Sequence, residues 1–544
     1  MKDYLRKIIS HSLQQFELNE ADIPDIEIEK PNDPTHGDAA TNIAMKLARP
    51  LRNNPRKIAE QLVEGLQYDK KRIKAVEIAG PGFINFRYAQ NYLYDELETI
   101  LNQKDHFGKS SNHKGEKILV EFVSANPTGP LTVGHGRNAV LGDTIARLLE
   151  WTGAEVDREY YFNNAGRQMR VLGQSVQARY LQELGKDAEF PEGGYEGEYI
   201  RNIAKDMVED YGDSLSDSDD ITPFKDKAES QIFKDIKETL KRMNIHMDSD
   251  FNERSLYDDG SIEKVVEKLR EKDLAYDEDG ATWFKTTEFG KEKDTVIIKS
   301  TGEPTYRLPD IAYHANKLDR GYDLAIDVFG ADHIDTYPDV LSGIKALGYD
   351  TSKVDVVVYQ FVTIVKDGKP FKMSTRKANF VTLDELMDEV GVDVTRFFFL
   401  MRSPNTHLEF DIAQAKEAGE KNPVFYLQYA HARIHSILRK VDDEYSFSKS
   451  PKLNILTHES EIALIKSMIR FPEMIKSAAE AREPHRLINY LEDLASHFTS
   501  FYHDCRILGE EEELVQARAT LAKAVAQVLA NGLGILGINA PEQM

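Results

Sequence analysis

Five consecutive residues, Thr132-Val133-Gly134-His135-Gly136, have side chains suited to binding phosphate. They lie where an apolar segment gives way to a helical pattern, and the N-terminus of a helix offers free N–H groups and a partial positive charge to an anion. Gly134 and Gly136 let the backbone approach a ligand closely, and His135 can donate a hydrogen bond to a phosphate oxygen. An ordinary strand-to-helix turn with a surface histidine is the alternative, and the five residues alone leave the choice open.

A second candidate, the segment KPFKMSTRK at 369–377, follows an apolar segment and an Asp367-Gly368 turn. Four cations and a hydroxyl on one loop suit a triphosphate whose charge shifts during reaction. A solvated basic loop is the alternative interpretation. The candidate site residues of this segment are Lys372, Met373, Ser374, Thr375 and Arg376.

The elements around the first candidate predict a nucleotide-binding unit. The apolar segment 118–123 is a short strand, a helix is expected over 138–151 with Gly153 as its C-terminal stop, and 155–162 is the next strand. This β-loop-α-β pattern resumes after residue 300, so the sequence predicts a Rossmann-type parallel sheet.

The chain divides into three predicted domains, giving an α/β multidomain fold. Residues 1–110 are expected to form a small N-terminal α+β domain, with a helix over 1–18 and two strands over 75–88 that break at 80–82. Residues 111–421 are expected to form the Rossmann-type domain, with an insertion at about 165–285 that includes a hairpin at an Asp279-Gly280 turn. Residues 422–544 form an all-α helical bundle, with helices expected over 424–440, 459–481, 484–503 and 512–531.

Composition excludes several classes of protein. The 544 residues include 69 Lys+Arg and 92 Asp+Glu, a net charge of −23, and 41% are hydrophobic, which is typical of a globular chain with several cores. The acidic balance argues against diffuse, charge-driven binding of nucleic acid but leaves room for a local basic groove. The single cysteine, Cys505, favours a reducing compartment and excludes a multi-cysteine zinc site. No signal peptide is recognisable, and polar residues interrupt the apolar run 521–540, so a cytoplasmic protein without membrane spans is expected.

Together, the two phosphate candidates resemble the ATP-binding motifs of the class I aminoacyl-tRNA synthetases, HIGH and KMSKS. Further segments resemble the arginyl-tRNA synthetases within that class and cover nearly the whole chain. They are KPNDPTHGDAATNIAMKLAR, GPGFINF, SANPTGPLTVGHGR, DGATWFKTT, PTYRLPDIAYH, FGADHIDTY, KPFKMSTR, YAHARIHSILRK and DCRILGE.

The resemblance implies an arginine site. Ser124 and Asn126 would hold the α-amino and carboxylate end with His135 nearby, while Tyr306 and Asp310 would meet the side chain. A carboxylate can accept two parallel hydrogen bonds from a guanidinium, which a lysine ammonium cannot match. Pro309 at the first position of a helix would put Asp310 in its first turn. The alternative is that Asp310 only stabilises the helix start and that Tyr306 packs.

Two more residues, Asp332 and His333, join the candidate site because they follow another strand of the predicted sheet. Ligands of open α/β sheets collect at such strand ends.

The resemblance also implies the reaction and its partners. Arginine is activated by ATP, with Mg²⁺ accompanying the nucleotide, and the arginyl group is transferred to the terminal ribose of tRNA(Arg). It further implies that activation requires tRNA, that the helical bundle binds the anticodon, that the N-terminal domain touches the outer corner of the tRNA and that the protein is a monomer. Histidines such as His36, His113, His314 and His431 are scattered without metal-ligand spacing, so no structural metal is expected.

Two residues depart from the family motifs. The first histidine of HIGH is Thr132 here, whose hydroxyl can still donate to phosphate, and the second lysine of KMSKS is Thr375. Some relatives that lack this lysine carry one just before HIGH, but Gly129 occupies that place in this sequence. Arg376 or Lys377 is then expected to supply the cation.

Three alternatives remain at the level of sequence. A class I synthetase for glutamate or cysteine is disfavoured, because Asp310 would repel an acidic substrate and a single cysteine argues against zinc-based selection. A small-molecule nucleotidyltransferase would not need a helical bundle of this length. A non-catalytic RNA-binding relative is kept because of Thr132 and Thr375. For any tRNA partner, the basic residues Arg433, Arg439 and Lys440 offer a local positive surface on an acidic protein.

Overall fold

The computed structural model describes residues 1–16, 18–19, 22–31, 33–366, 368–370, 381–417, 419, 421–448 and 450–544. The first part of the chain contains α1 (Lys2–Leu13), β1 (Ala39–Thr41), α2 (Ile43–Lys46), α3 (Pro55–Gly65), β2 (Ile73–Ala79), β3 (Phe83–Tyr88) and α4 (Gln90–Gln103).

A three-stranded antiparallel sheet in the order β1-β3-β2 organises this first part. The predicted break between two strands is confirmed, because Gly80 and Gly82 adopt φ values of 55° and 139° that favour glycine. Apolar residues on one face of α1, including Leu5 and Ile9, are buried in the core beneath the sheet. The helix is shorter than the predicted 1–18 and ends at Leu13.

The middle of the chain alternates strands and helices. In order, they are β4 (Lys117–Glu121), α5 (Val133–Trp151), β5 (Glu155–Phe162), α6 (Gly166–Glu183), α7 (Glu198–Tyr211), α8 (Thr222–Arg242), β6 (Ser249–Asn252), α9 (Arg254–Asp258), α10 (Ser261–Glu271), β7 (Ala275–Glu278), β8 (Ala281–Phe284), β9 (Thr295–Ile298), α11 (Arg307–Asp319), β10 (Leu324–Gly330), α12 (Tyr337–Leu347), β11 (Val354–Tyr359), β12 (Val362–Lys366), β13 (Lys369–Pro370), α13 (Leu383–Val390), α14 (Val392–Leu400), β14 (Leu408–Asp411) and α15 (Ile412–Ala415).

A parallel sheet in the order β11-β10-β4-β5-β6 forms the centre of this region, as the sequence predicted. The chain leaves β4 toward β5 on one side and returns through β10 on the other. The carboxyl ends of β4 and β10 therefore flank the point where strand order reverses, which is where open α/β sheets bind ligands.

The region predicted as an insertion, at about 165–285, contains both helices and a strand of the central sheet. Helices α6, α7 and α8 lie within it, but β6 then pairs with β5 as the edge strand of the central sheet. Its four residues carry no continuous apolar run, so the pattern did not reveal a strand. The hairpin of β7 and β8 does form at Asp279-Gly280, where both residues have positive φ, and β9 completes a small antiparallel sheet.

The C-terminal part is helical, as predicted: α16 (Pro423–Tyr445), α17 (Glu459–Met468), α18 (Phe471–Ala481), α19 (His485–Asp504) and α20 (Glu512–Ile535). The helix expected over 459–481 is two helices.

The Cα positions divide into two compact units. One comprises Met1–Phe107, Arg433–Arg470 and Ser496–Val528; in it, the Tyr94 hydroxyl donates to the Leu456 carbonyl at 2.8 Å. The other comprises Gly108–Ala432, Phe471–Ala495 and Leu529–Met544 and contains the whole central sheet. Among the described residues, no helix has the length and apolar character needed to cross a membrane.

Candidate active site

Thr132 and His135 lie at the start of α5. Thr132 is the N-cap residue, and His135 occupies the third helical position. The helix starts at Val133, five residues before the predicted 138, because the prediction followed the apolar face while glycines occupy the first turn. The glycine and histidine residues thus belong to the helix N-terminus itself, where free N–H groups can meet an anion.

The His135 ring is oriented by the backbone. The Thr132 amide N–H donates to Nδ1 of His135 at 3.1 Å, and burial lowers the pKa of the imidazole. A neutral ring whose Nδ1 accepts a hydrogen bond carries its hydrogen on Nε2. His135 is thereby prepared to donate from Nε2.

The two motif glycines have different roles. A Cβ built on Gly134 would meet only the Thr132 hydroxyl, at 3.7 Å, so this position leaves open space at the helix start. A Cβ on Gly136 would lie 2.6 Å from Cδ1 of Leu383 and 2.9 Å from Cε2 of Phe399. Gly136 therefore allows α13 and α14 to pack against α5, which differs from the ligand approach expected from sequence.

The candidates Lys372, Met373, Ser374, Thr375 and Arg376 lie outside the described residues. The described chain on either side of them is informative. Strand β13 pairs antiparallel with β12, and after residue 380 the Leu383 amide donates to the Leu131 carbonyl at 2.8 Å. Thr382 also forms a β-bridge with Thr132. The described chain that follows residue 380 therefore lies directly beside the N-terminus of α5.

Ser124 and Asn126 follow β4 in an irregular loop. Val123 and Ser124 have φ values of 68° and 43°, in the left-handed region that non-glycine residues rarely occupy. Asn138 on α5 holds this turn, because its Oδ1 accepts from the Val123 amide at 2.5 Å while its Nδ2 donates to the Val328 carbonyl at 2.8 Å. A single side chain thus joins the ends of β4 and β10 at the crevice.

Asn126 faces the beginning of the insertion. Its Oδ1 accepts from the Asn163 amide at 3.1 Å, and its Nδ2 donates to Oε1 of Gln168 at 3.2 Å.

Tyr306 and Asp310 belong to the start of α11. The helix begins at Arg307, so Pro309 is its third residue rather than its first, but Asp310 does lie in the first turn. Tyr306 is 81% exposed, which excludes the alternative that it is a packed core residue. Burial raises the pKa of Asp310 to about 7, and nearby Glu121 and Glu253 contribute to the shift.

The carboxyl groups around Asp310 were missed at the sequence level. Glu121 is 4% exposed at the end of β4, and Glu253 is 7% exposed beside β6. The Tyr161 hydroxyl donates to Oε2 of Glu253 at 2.6 Å, and burial raises the pKa of that carboxyl group. In the sequence, the glutamate within the apolar segment ILVEFV was the one indication of a buried carboxyl group. This part of the crevice is acidic and suits a cationic ligand.

Asp332 and His333 occupy a short 3₁₀ turn after β10. Their side chains are 65% and 52% exposed, and Oδ2 of Asp332 lies 3.7 Å from Nε2 of His333. The His333 ring stacks on Phe329 with centroids 5.1 Å apart. Both residues therefore lie at a strand end, as predicted, with polar atoms open to solvent.

Within the described ranges, no group of three or more His, Cys, Asp or Glu side chains is arranged to hold a metal ion. Cys505 is buried and unpaired by any disulfide. The described side chains thus form no metal site of their own, although a nucleotide can bring a cation on its phosphates.

A five-stranded parallel sheet, a helix that begins with Thr132 and His135 at the crevice of that sheet, and buried carboxyl groups beside it are typical of the catalytic domain of a class I aminoacyl-tRNA synthetase. Three family models match the chain. They are "Arginyl tRNA synthetase N terminal domain" over 3–88, "tRNA synthetases class I (R), catalytic domain" over 96–397 and "DALR anticodon binding domain" over 427–544.

Individual relatives agree with these matches. An arginine–tRNA ligase of Salinibacter ruber is 56% identical over 566 residues, covering 100% of both chains. One of Desulfotalea psychrophila is 52% identical over 520 residues, covering 95% of this chain and 94% of the relative. The solved structure of a Thermus thermophilus arginyl-tRNA synthetase shares the fold, with a TM-score of 0.80 at 23% identity and full coverage of both chains. The chain belongs to the arginyl-tRNA synthetase family.

Proposed function

We propose that the crevice between β4 and β10 binds L-arginine and ATP and performs the activation step of arginine–tRNA ligation. The observation that carries this proposal is the half-buried Asp310, whose carboxyl group has a raised pKa near the buried Glu121 and Glu253. Carboxyl groups in a pocket disfavour apolar and anionic ligands. A guanidinium is favoured, because it can pair with a carboxylate through two parallel hydrogen bonds.

The first chemical step joins arginine to ATP. One oxygen of the arginine carboxylate attacks the α-phosphorus, the bond to the bridging oxygen of the β-phosphate breaks, and pyrophosphate leaves with that electron pair. Ser124 and Asn126 hold the α-amino and carboxylate end, and Asp310 with Tyr306 holds the side chain. The developing phosphate charge is stabilised by Nε2–H of His135 and the N-terminus of α5.

Other groups complete the phosphate site. The Thr132 hydroxyl, Lys372, Ser374 and Arg376 are assigned to the departing pyrophosphate, and Asp332 with His333 to the nucleotide at the end of β10. Support for the assignment of the lysine-rich segment comes from Thr382, which follows it in the chain and forms a β-bridge with Thr132. Positioning and charge stabilisation suffice for this step without a covalent enzyme intermediate.

The second step transfers the arginyl group to tRNA(Arg). The 2′-hydroxyl of the terminal ribose attacks the mixed-anhydride carbonyl, the bond from that carbonyl carbon to the phosphate oxygen breaks, and AMP leaves while the hydroxyl proton passes to its phosphate or to water. In this proposal residues 111–421 form the catalytic domain, the helices within 422–544 bind the anticodon, and residues 1–110 contact the outer corner of the tRNA. Activation is proposed to require bound tRNA.

The remaining proposals concern the metal ion, the oligomeric state and the cellular location. Mg²⁺ is proposed to arrive on the phosphates of ATP, since the described side chains form no metal site. The protein is proposed to be a cytoplasmic monomer. Sedimentation at several concentrations tests the monomer directly, because a concentration-dependent mass would contradict it.

Charging of total tRNA with radiolabelled arginine and ATP tests the function, with lysine, glutamate and glutamine in parallel. Charging with arginine alone, lost in Asp310→Ala and His135→Ala while both variants stay folded, is the expected result. No charging by any amino acid while tRNA still binds would contradict the proposal and favour the non-catalytic relative that Thr132 and Thr375 suggested.

A further inference from the structure

Two carboxyl groups lie side by side in the interior beneath the proposed arginine site. Glu121 and Asp327 are directly paired across the parallel strands β4 and β10, and they are 4% and 0% exposed. Adjacent buried carboxylates repel each other and each loses its hydration, so the arrangement requires compensation by other groups.

Lys317 on α11 provides part of that compensation. Its Nζ lies 2.5 Å from Oε2 of Glu121 and 2.5 Å from Oδ1 of Asp327, and the residue is fully buried. Burial alone would lower the pKa of Lys317, but the two carboxylates raise it above its ordinary value. One ammonium group thus connects two strands of the sheet to the helix that carries Asp310.

His314 connects the same carboxylate to Asp310 itself. Nε2 of His314 lies 2.8 Å from Oδ2 of Asp327, and Nδ1 lies 2.7 Å from the backbone carbonyl oxygen of Asp310. Through these two contacts the imidazole joins the carboxyl group of Asp327 to the first turn of α11. The ring is 4% exposed, so it holds the Asp310 backbone from inside the fold.

The other end of the chain of hydrogen bonds reaches Ser124. The Ser124 hydroxyl donates to Oε1 of Glu121 at 2.8 Å. Ser124 has a φ of 43°, a conformation that persists only where its surroundings hold it. The path Ser124–Glu121–Lys317–Asp327–His314–Asp310 is therefore continuous and joins the residues proposed for the two ends of arginine.

We propose that Lys317 and His314 are positioning residues that fix the distance between Ser124 and Asp310 and thereby match the pocket to the length of arginine. This inference rests on the proposed roles of Ser124 and Asp310 in arginine binding. Neither positioning residue touches the substrate. Loss of the network moves α11 relative to the end of β4, so it weakens arginine binding while ATP binding at the start of α5 is preserved.

The decisive variant is His314→Phe, which keeps a ring of similar size and removes both hydrogen bonds. We expect the arginine KM in pyrophosphate exchange, measured with tRNA present, to rise at least tenfold, with the ATP KM changed less than twofold. His314→Gln, which retains a donor, should recover part of the loss. His246→Phe, at an exposed histidine of the same unit, is the matched control and should behave as the unmodified protein.

A double-mutant cycle between Ser124 and His314 provides a second test. If the network links them, the double variant Ser124→Ala/His314→Phe should raise the arginine KM by less than the product of the single effects. Strictly multiplicative effects, or equal loss of arginine and ATP binding, would overturn the positioning role. If His314→Phe does not fold, the same cycle with His314→Gln decides between these outcomes.

The proposed arginine site is tested separately by Asp310→Asn. Unchanged arginine KM in that variant would refute the site itself. A large effect of Asp310→Asn combined with no effect of His314→Phe would refute only the positioning network.

Discussion

The carboxyl group of Asp310 should cost the empty protein stability at neutral and alkaline pH. Burial raises its pKa from the ordinary 3.8 to about 7. Between these values the folded chain keeps a proton that the unfolded chain has released, so the free energy of unfolding falls as pH rises from about 4 to 7. Above pH 7 both states are ionised and the penalty is constant. A tenfold change in proton affinity equals about 1.4 kcal/mol, so the penalty reaches about 4 kcal/mol.

Asp310→Asn removes this penalty, because an amide has no charge to desolvate. Without arginine, we expect the variant to be more stable than the unmodified protein by about 2–4 kcal/mol at pH 8 and by at most about 2 kcal/mol at pH 5. Arginine binding should be lost, since the amide cannot pair with a guanidinium as a carboxylate does. The stabilising change would therefore also be the inactivating one.

Urea denaturation at pH 5 and pH 8 measures the difference in unfolding free energy between the variant and the unmodified protein. The transition to follow is the one that added arginine shifts in the unmodified protein. A chain of this size unfolds in more than one step, so that transition must be isolated. Asp206→Asn, at an exposed carboxyl group on α7, is the matched control and should show no pH-dependent gain. A gain in stability from Asp310→Asn that is equal at both pH values would refute the assignment of a buried, readily protonated carboxyl group.

Three further predictions concern the phosphate site. Gly136→Ala should lower the thermal midpoint, because the added methyl group crowds Leu383 and Phe399 and costs about 1–3 kcal/mol of stability. Gly134→Ala should retain the midpoint and weaken ATP binding, because a Cβ there has open space. Similar midpoints for the two variants would contradict the different roles of these glycines. With tRNA present, His135→Ala should reduce pyrophosphate exchange about 10²- to 10³-fold, with little change in arginine binding by calorimetry. A loss confined to arginine binding would disprove the phosphate role. With tRNA present, Lys372→Ala should slow adenylate formation in single-turnover assays far more than Lys369→Ala does. Equal rates would contradict the assignment of Lys372 to the site.

Local patterns were sufficient for much of the architecture. The strand-helix-strand order around α5, the break between β2 and β3, the Asp279-Gly280 hairpin and the helical C-terminal part all follow from short-range periodicity and turn chemistry. Such features depend on neighbours within one or two turns, which the sequence contains directly. The paired phosphate motifs also identified the family, which the comparisons confirmed. The roles of individual site residues stay predictions.

Other features depend on contacts between distant segments. The edge strand β6 is defined by pairing with β5 rather than by an apolar pattern, and Gly136 is required by the packing of Leu383 and Phe399, more than 240 residues away.

The sequence by itself determined which side chains could bind phosphate and arginine. Tertiary structure decided their environment. The pKa of Asp310 is raised because the fold shields it from water near other carboxyl groups, and Lys317 and His314 meet the carboxyl groups of Glu121 and Asp327 only when α11 lies across β4 and β10. Desolvation and hydrogen bonding between segments separated by up to 200 residues are properties of three-dimensional proximity, and no local pattern encodes them.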